Sequence, residues 1–153
     1  MGRRSKWWAA ALVRRCALVM LCVGSAVVAA VDEQGAALLA WKATLRNGVG
    51  ALADWKAADA SPCRWTGVAC NADGGVTELR LEFVDLLGGV PANLAGAVGA
   101  TLTRLVLTGT NLTGPIPPEL GELESLESLI IGYNELEGPI PPELGNLTSL
   151  RGL

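Results

Sequence analysis

Leu102-Thr-Arg-Leu-Val-Leu-Thr-Gly-Thr-Asn-Leu-Thr-Gly-Pro-Ile-Pro-Pro-Glu-Leu-Gly-Glu-Leu-Glu-Ser125 runs without a gap into Leu126-Glu-Ser-Leu-Ile-Ile-Gly-Tyr-Asn-Glu-Leu-Glu-Gly-Pro-Ile-Pro-Pro-Glu-Leu-Gly-Asn-Leu-Thr-Ser149, and the two stretches agree at 13 of 24 positions. Agreement of that density at a fixed period marks an internal repeat. A weaker copy over 76–101 keeps Leu79, Leu81, Leu86, Gly88, Val90, Pro91 and Leu94 in register, and Leu150-Arg151-Gly152-Leu153 starts another. The steps Leu79/Leu81, Leu105/Leu107 and Leu129/Ile131 have a period of two, so these residues share one face of a short strand. A unit this short cannot bury its own leucines. Stacked coils can, with each strand pairing in parallel with the next and the leucines forming one continuous core. Opposite the strands, Pro117-Pro118 and Pro141-Pro142 restrict the backbone to extended or short 3₁₀ structure, and Leu120, Leu123, Leu144 and Leu147 turn inward. Gly114 and Gly138 suit the tight bend between the two sides.

Residues 31–75 lack the repeat and read as the cover of one solenoid end, where core leucines and strand polar groups need protection. Asp32 or Glu33 can open a helix whose apolar spacing runs through Ala36, Leu39, Ala40, Ala43 and Leu45 to the stop signal Asn47-Gly48. Trp41, Trp55 and Trp65 are expected to fill the cap, with an aromatic ligand cage as the alternative use of the same rings.

The repeated Leu-x-x-Leu-x-aliphatic step followed by Gly-Pro-Ile-Pro resembles the plant-specific class of extracellular leucine-rich repeats. Upstream, Ala37-Leu38-Leu39-Ala40-Trp41-Lys42, Asp54-Trp55 and Ser61-Pro62-Cys63-Arg64-Trp65-Thr66-Gly67-Val68-Ala69-Cys70 look like the N-terminal cap of plant leucine-rich repeat receptors. The likeness covers everything from residue 31 onward and is greatest to plant leucine-rich repeat receptor-like kinases, especially those that sense secreted peptides. It implies an α/β leucine-rich repeat solenoid with short parallel strands on its concave face and a helical, disulfide-pinned N-terminal cap. The family's asparagine, whose amide bonds backbone of an adjacent coil, is present as Asn134 but replaced by Thr110 and Val84 in the two earlier coils. Those coils are therefore expected to be irregular, with Phe83 filling the gap beneath the cap.

Ahead of the cap, Arg3, Arg4, Lys6, Arg14 and Arg15 precede an uncharged run of 16 residues, Cys16–Val31, that ends in small residues. This is the pattern of a signal peptide over residues 1–30 with cleavage after Ala30. A signal anchor or a transit peptide is the alternative, although the run is short of the roughly 20 residues that cross a bilayer. Export leads to the secretory pathway and an extracellular or cell-surface location. Trp7, Trp8, Cys16 and Cys22 would leave with the signal, and the two remaining cysteines, Cys63 and Cys70, would pair in an oxidising compartment rather than persist as thiols. Such a bridge contributes about 2–3 kcal/mol in the chain-entropy picture. Asn111-Leu112-Thr113 and Asn146-Leu147-Thr148 are glycosylation sequons, expected to face solvent.

From residue 31 onward 7 basic residues face 15 acidic ones, which speaks against a nucleic-acid partner. Without histidine there is neither a Ser-His-Asp triad nor a histidine metal site, and no nucleotide-binding glycine loop occurs. Two cysteines cannot close a tetrahedral metal site, and Glu119 and Glu143 recur at the repeat period as solvated convex-side charges. No catalytic residue, cofactor or metal is expected. A binding surface would lie on the concave strand face, at Arg80, Glu82, Arg104, Val106, Thr108, Ser128 and Ile130, beside Glu78 and Gly132. That face offers no cluster of aromatic or arginine anchors. The expected function is that of an extracellular protein-interaction module, the truncated N-terminal ectodomain of a receptor-like kinase. A downstream membrane span and serine/threonine kinase would follow in the full form, and a peptide, protein or co-receptor ectodomain would be the partner. The alternative is a short secreted repeat protein, an inhibitor of the polygalacturonase-inhibitor kind or an adaptor.

Overall fold

The computed structural model describes residues 31–152. The expected signal peptide, its cleavage point and Leu153 lie outside the described residues. The chain forms α1 (Glu33–Thr44), α2 (Gly48–Ala51), β1 (Val68–Cys70), β2 (Val76–Glu82), α3 (Ala95–Val98), β3 (Arg104–Thr108), β4 (Thr113–Gly114), a 3₁₀ turn (Pro118–Glu122), β5 (Ser128–Ile130), β6 (Glu135–Leu136) and a second 3₁₀ turn (Pro142–Asn146).

The strands build one sheet in the order β1-β2-β3-β5. β2, β3 and β5 pair in parallel, with Leu79, Leu105 and Leu129 on one rung and Leu81 beside Leu107 on another. These leucines are buried, and Leu86, Leu112, Leu120, Leu123 and Leu147 complete the core from the other sides of the coil. The solenoid read from the repeat is therefore present. Residues 150–152 run alongside β5: Gly152 bridges Ser128 and its carbonyl accepts from Leu129 N–H at 3.0 Å.

Two pairings were not legible in the repeat. β1 belongs to the cap and runs antiparallel to β2, so the sheet is mixed at its first edge. The approach is so close that a side chain at Gly67, at φ 79°, would collide with the Arg80 carbonyl. A short irregular strand of this kind ends a sheet without offering a new edge of any length. The second pairing joins β4 to β6 in parallel and forms a small additional ladder where each coil turns away from the main strands. It lies beside the bends at Gly114 and Gly138, whose φ values of 79° and 88° are left-handed as their glycines imply. Both 3₁₀ turns begin at the second proline of each Pro-Pro pair, where a missing N–H costs nothing.

In the cap, Asp32 opens α1 by accepting the Gly35 N–H at 2.8 Å. The buried face of α1 is Gly35, Leu38 and Trp41, continued by Leu45, whereas Ala36, Ala40 and Ala43 are exposed and Leu39 is half-buried. The expected face is thus rotated. Alanines score as apolar but carry little surface, so the bulk of Leu38 and Trp41 sets the orientation. Trp41, Trp55 and Trp65 form a buried stack with centroids 6.3 and 5.3 Å apart. Each indole N–H is satisfied, by Gly89 O, Thr66 O and Asp59 Oδ2 respectively. These rings are core and line no cage. A disulfide joins Cys63 to Cys70, the last residue of β1, with Cα atoms 5.5 Å apart.

Asn134 acts as the family resemblance implies. Its Oδ1 accepts from Thr110 N–H and Leu112 N–H, and its Nδ2 donates to Leu107 O in the preceding coil. Thr110 does not break this ladder, because its buried hydroxyl also bonds Asn134 Oδ1, at 3.0 Å. At the Val84 position the cap substitutes. Arg46 and Asn47 N–H donate to Leu87 O and Leu86 O, and Asn47 Nδ2 donates to Asp85 O. The expectation that Phe83 fills the gap beneath the cap is corrected, since its side chain is among the most exposed large apolar groups of the described residues. Its left-handed backbone, at φ 54°, aims the ring over Gly109 in the next coil instead.

Candidate binding surface on the strand face

Alternation along β2, β3 and β5 sends Glu78, Arg80 and Glu82, then Arg104, Val106 and Thr108, then Ser128 and Ile130 away from the leucine core. Parallel register places them in rows: Glu78–Arg104–Ser128, Arg80–Val106–Ile130 and Glu82–Thr108. The predicted surface residues are therefore brought together, but unequally. Val106 and Thr108, on the middle strand, are only 4% and 9% exposed. A central strand is flanked on both sides, and short side chains such as these sink between longer neighbours like Arg80 and Ile130. What remains open is Arg80, Arg104 and Ile130, with Glu82 and Ser128 half-covered.

The charges on this face neutralise one another. Arg80 Nε donates to Glu82 Oε2 at 2.7 Å, and Arg104 Nη1 lies 3.8 Å from Glu78 Oε1. The hydrogen bond from Arg80 to Glu82, reinforced by that carboxylate's charge, pushes the guanidinium pKa upward, so Arg80 is a permanent cation. Arg104 and Ser128 also line a groove of about 240 Å³ with Thr103, Glu127, Arg151 and Gly152. Among the described residues no group of three or more His, Cys, Asp or Glu side chains is placed to hold a metal ion. Glu119 and Glu143 are exposed on their 3₁₀ turns, as their period implies. Among the described residues no helix is long and apolar enough to cross a membrane.

Asn111 and Asn146 are both exposed. They differ in their neighbours: Asn111 has φ 54° and donates from Nδ2 to Asp85 Oδ1 at 2.8 Å, whereas Asn146 ends the second 3₁₀ turn.

Sequence reasoning missed two residues. Phe83 and Tyr133 are 81% and 88% exposed at the C-terminal margin of the strands. They occupy the same repeat position, four residues after Leu79 and Leu129, with Gly109 at the equivalent place after Leu105, and aligning the three coils past the strands would have revealed it. The strands β2, β3 and β5 themselves carry no aromatic side chain, as expected of that face, and the two rings stand at its margin.

Residues 31–71 match the leucine-rich repeat N-terminal domain, and residues 101–123 and 125–147 match the leucine-rich repeat. Among similar proteins, the leucine-rich repeat receptor-like serine/threonine-protein kinase RGI4 of Arabidopsis thaliana is 46% identical over 104 residues, covering 68% of this chain and 9% of the relative. The receptor-like kinase RGI3 of the same plant is 42% identical over 110 residues, covering 72% and 10%. The chain thus spans about a tenth of the length of these relatives. Among solved structures, the Arabidopsis receptor kinase HAESA, in complex with the peptide hormone IDA and the co-receptor SERK1, superposes with a TM-score of 0.72 at 28% identity, covering 80% of this chain and 21% of that one. The BIR3–SERK2 complex of Arabidopsis thaliana gives 0.68 at 28% identity, covering 76% and 64%. The matched region is the repeat-bearing ectodomain, which is not catalytic.

Proposed function

We propose that this chain, a leucine-rich repeat protein whose cap and coils are similar to the N-terminal part of plant receptor-kinase ectodomains, is an extracellular interaction module that helps present a rigid strand face to a peptide or protein partner. The observation that carries the proposal is the asymmetry of the solenoid. Its first end is covered by the cap and β1, while Arg80, Arg104 and Ile130 keep the strand face open. A stiff, extended and shallow surface of this kind suits recognition rather than reaction.

In the full receptor further coils would pack on β5 and the second 3₁₀ turn, where Ile140 is exposed and Leu144 and Leu150 are half-buried. A membrane span and a serine/threonine kinase would follow, and a co-receptor ectodomain would meet the same array. Residues 1–30 would direct export and be removed, leaving the cap over 31–75 and coils from residue 76 onward. Asn111 and Asn146 would meet the glycosylation machinery on the way.

Full-length messenger read across the codon for Leu153 tests the receptor reading. An open frame running into more repeats, an apolar span and a kinase is expected, and a stop codon directly after Leu153 would count against it. Intact-mass and N-terminal analysis of secreted protein checks export, with a start within about two residues of Val31 expected.

A further inference from the structure

Leaving aside two tryptophans and the rest of residues 1–30, the aromatic side chains comprise three tryptophans buried in the cap and one phenylalanine and one tyrosine, the only residues of their types in the chain. Both of these lie outside the core, at equivalent positions two coils apart. The backbone there is left-handed in all three coils: φ is 54° at Phe83, 62° at Gly109 and 55° at Tyr133. Glycine adopts that conformation without penalty and a bulky side chain does not. Gly109 shows what the geometry alone requires. In the other two coils an aromatic ring takes the place, with a disfavoured backbone and no burial in return. Neither folding energy nor packing accounts for that choice, and it points to a ligand.

The three positions form a continuous shelf. The Phe83 ring leans over Gly109, where an added Cβ would come within 2.8 Å of the ring edge, and Gly109 N–H donates to Gly132 O in the coil that carries Tyr133. Next to the shelf are Ile130, 43% exposed, and Thr108, whose hydroxyl is buried without a hydrogen-bond partner. That hydroxyl is a polar atom at the root of the shelf that a ligand group can satisfy.

Geometry and charge select the ligand. Residues two strands apart are separated by about 9–10 Å. Side chains on one face of a polyproline II segment recur every three residues, at about 9.3 Å, whereas those of a β-strand recur at about 6.6 Å. The strand-face charges are paired as Arg80–Glu82 and Arg104–Glu78, and the exposed carboxylates nearest the rings, Asp85 and Glu135, are in no ion pair among the described residues, so the surroundings disfavour an anionic partner and offer no free cation to recruit one. We propose that Phe83 and Tyr133 form a two-ring platform for an uncharged peptide segment in the polyproline II conformation, with an apolar or prolyl residue on each ring at positions i and i+3. The proposal deepens, and rests on, the reading of the strand face as an interaction surface.

Because each ring is unique, the full chain carrying para-fluorophenylalanine and meta-fluorotyrosine gives one fluorine NMR signal per ring. It is titrated with acetylated, amidated hexaproline, with an acetylated, amidated Gly-Ser hexapeptide and with cellohexaose. Hexaproline is expected to shift both signals with one shared dissociation constant, and Phe83→Gly or Tyr133→Gly to weaken binding about tenfold as read by amide shifts. Those glycines relieve the left-handed backbone, so folding persists, and the unsubstituted chain alone already tests the platform. Equal shifts with the Gly-Ser peptide, shifts with cellohexaose alone, shifts that vary with protein dilution and need no ligand, or silence of both rings towards hexaproline would each overturn the proposal. Hexaproline shifts confined to strand amides such as Arg104 and Ser128, with both fluorines silent, overturn the platform and leave the broader reading of the strand face standing.

Discussion

Asn134 makes six contacts within hydrogen-bonding distance through one side chain, three to its Oδ1 and three from its Nδ2. Removing it strands backbone groups on two coils, so Asn134→Ala is expected to cost about 2–4 kcal/mol in chemical denaturation, and Thr110→Val, which removes a single hydroxyl bond, about 1 kcal/mol. Equal losses would show that Thr110 is no mere accessory to the ladder. A second residue-scale effect concerns Asp54. Its burial raises the pKa, but hydrogen bonds from Thr66, then its own backbone and the Lys42 charge, outweigh that and hold it below the usual carboxylate value. A depressed folded pKa contributes stability above the unfolded value of about 3.9, and that stability is lost as pH falls through the folded pKa. The urea midpoint of Asp54→Asn should therefore fall less than that of the parent between about pH 4 and about pH 2, by a modest amount because the group is mostly solvated. Residue-level legibility was uneven: Asn134 was readable because its type matches its role, while Thr110 looked like a defect until its hydroxyl was placed.

At the level of elements, local chemistry that fixes the backbone was readable and chemistry that depends on a distant partner was not. Asp32-Glu33 marked the start of α1, the Pro-Pro pairs restricted the backbone to extended or short 3₁₀ structure, and Gly114 and Gly138 marked the bends. The rotation of α1 escaped because three alanines, Ala36, Ala40 and Ala43, fit an apolar stripe on a face that the tryptophan stack does not use. Substitution separates the two orientations: Leu38→Ala is expected to cost about 2–5 kcal/mol in thermal or urea unfolding, and Leu39→Ala less than half as much. The reverse ranking would restore the face first expected. β1 escaped for a different reason. Three residues with no alternation of their own become a strand only because β2 lies alongside.

For the molecule as a whole, stability in a stacked array is shared between each coil and its neighbours. The first two coils have neighbours on both sides, whereas in the third Ile131, Leu136 and Leu144 are only half-buried. Amide hydrogen exchange of the chain should accordingly be slowest in β2 and β3 and fastest from Leu136 to Asn146, a gradient read directly by mass spectrometry. Uniform protection would mean that the third coil is covered. The solenoid was legible at this scale because a period repeats its evidence with every turn. The aromatic shelf was not, since it depends on a left-handed residue that re-aims a side chain after the strand pattern has ended. A last consequence follows from β1. By turning the first strand's free side into a dead end, it gives the array a direction: no coil can be stacked ahead of β2, and the cap stays a fixed origin from which the array is counted.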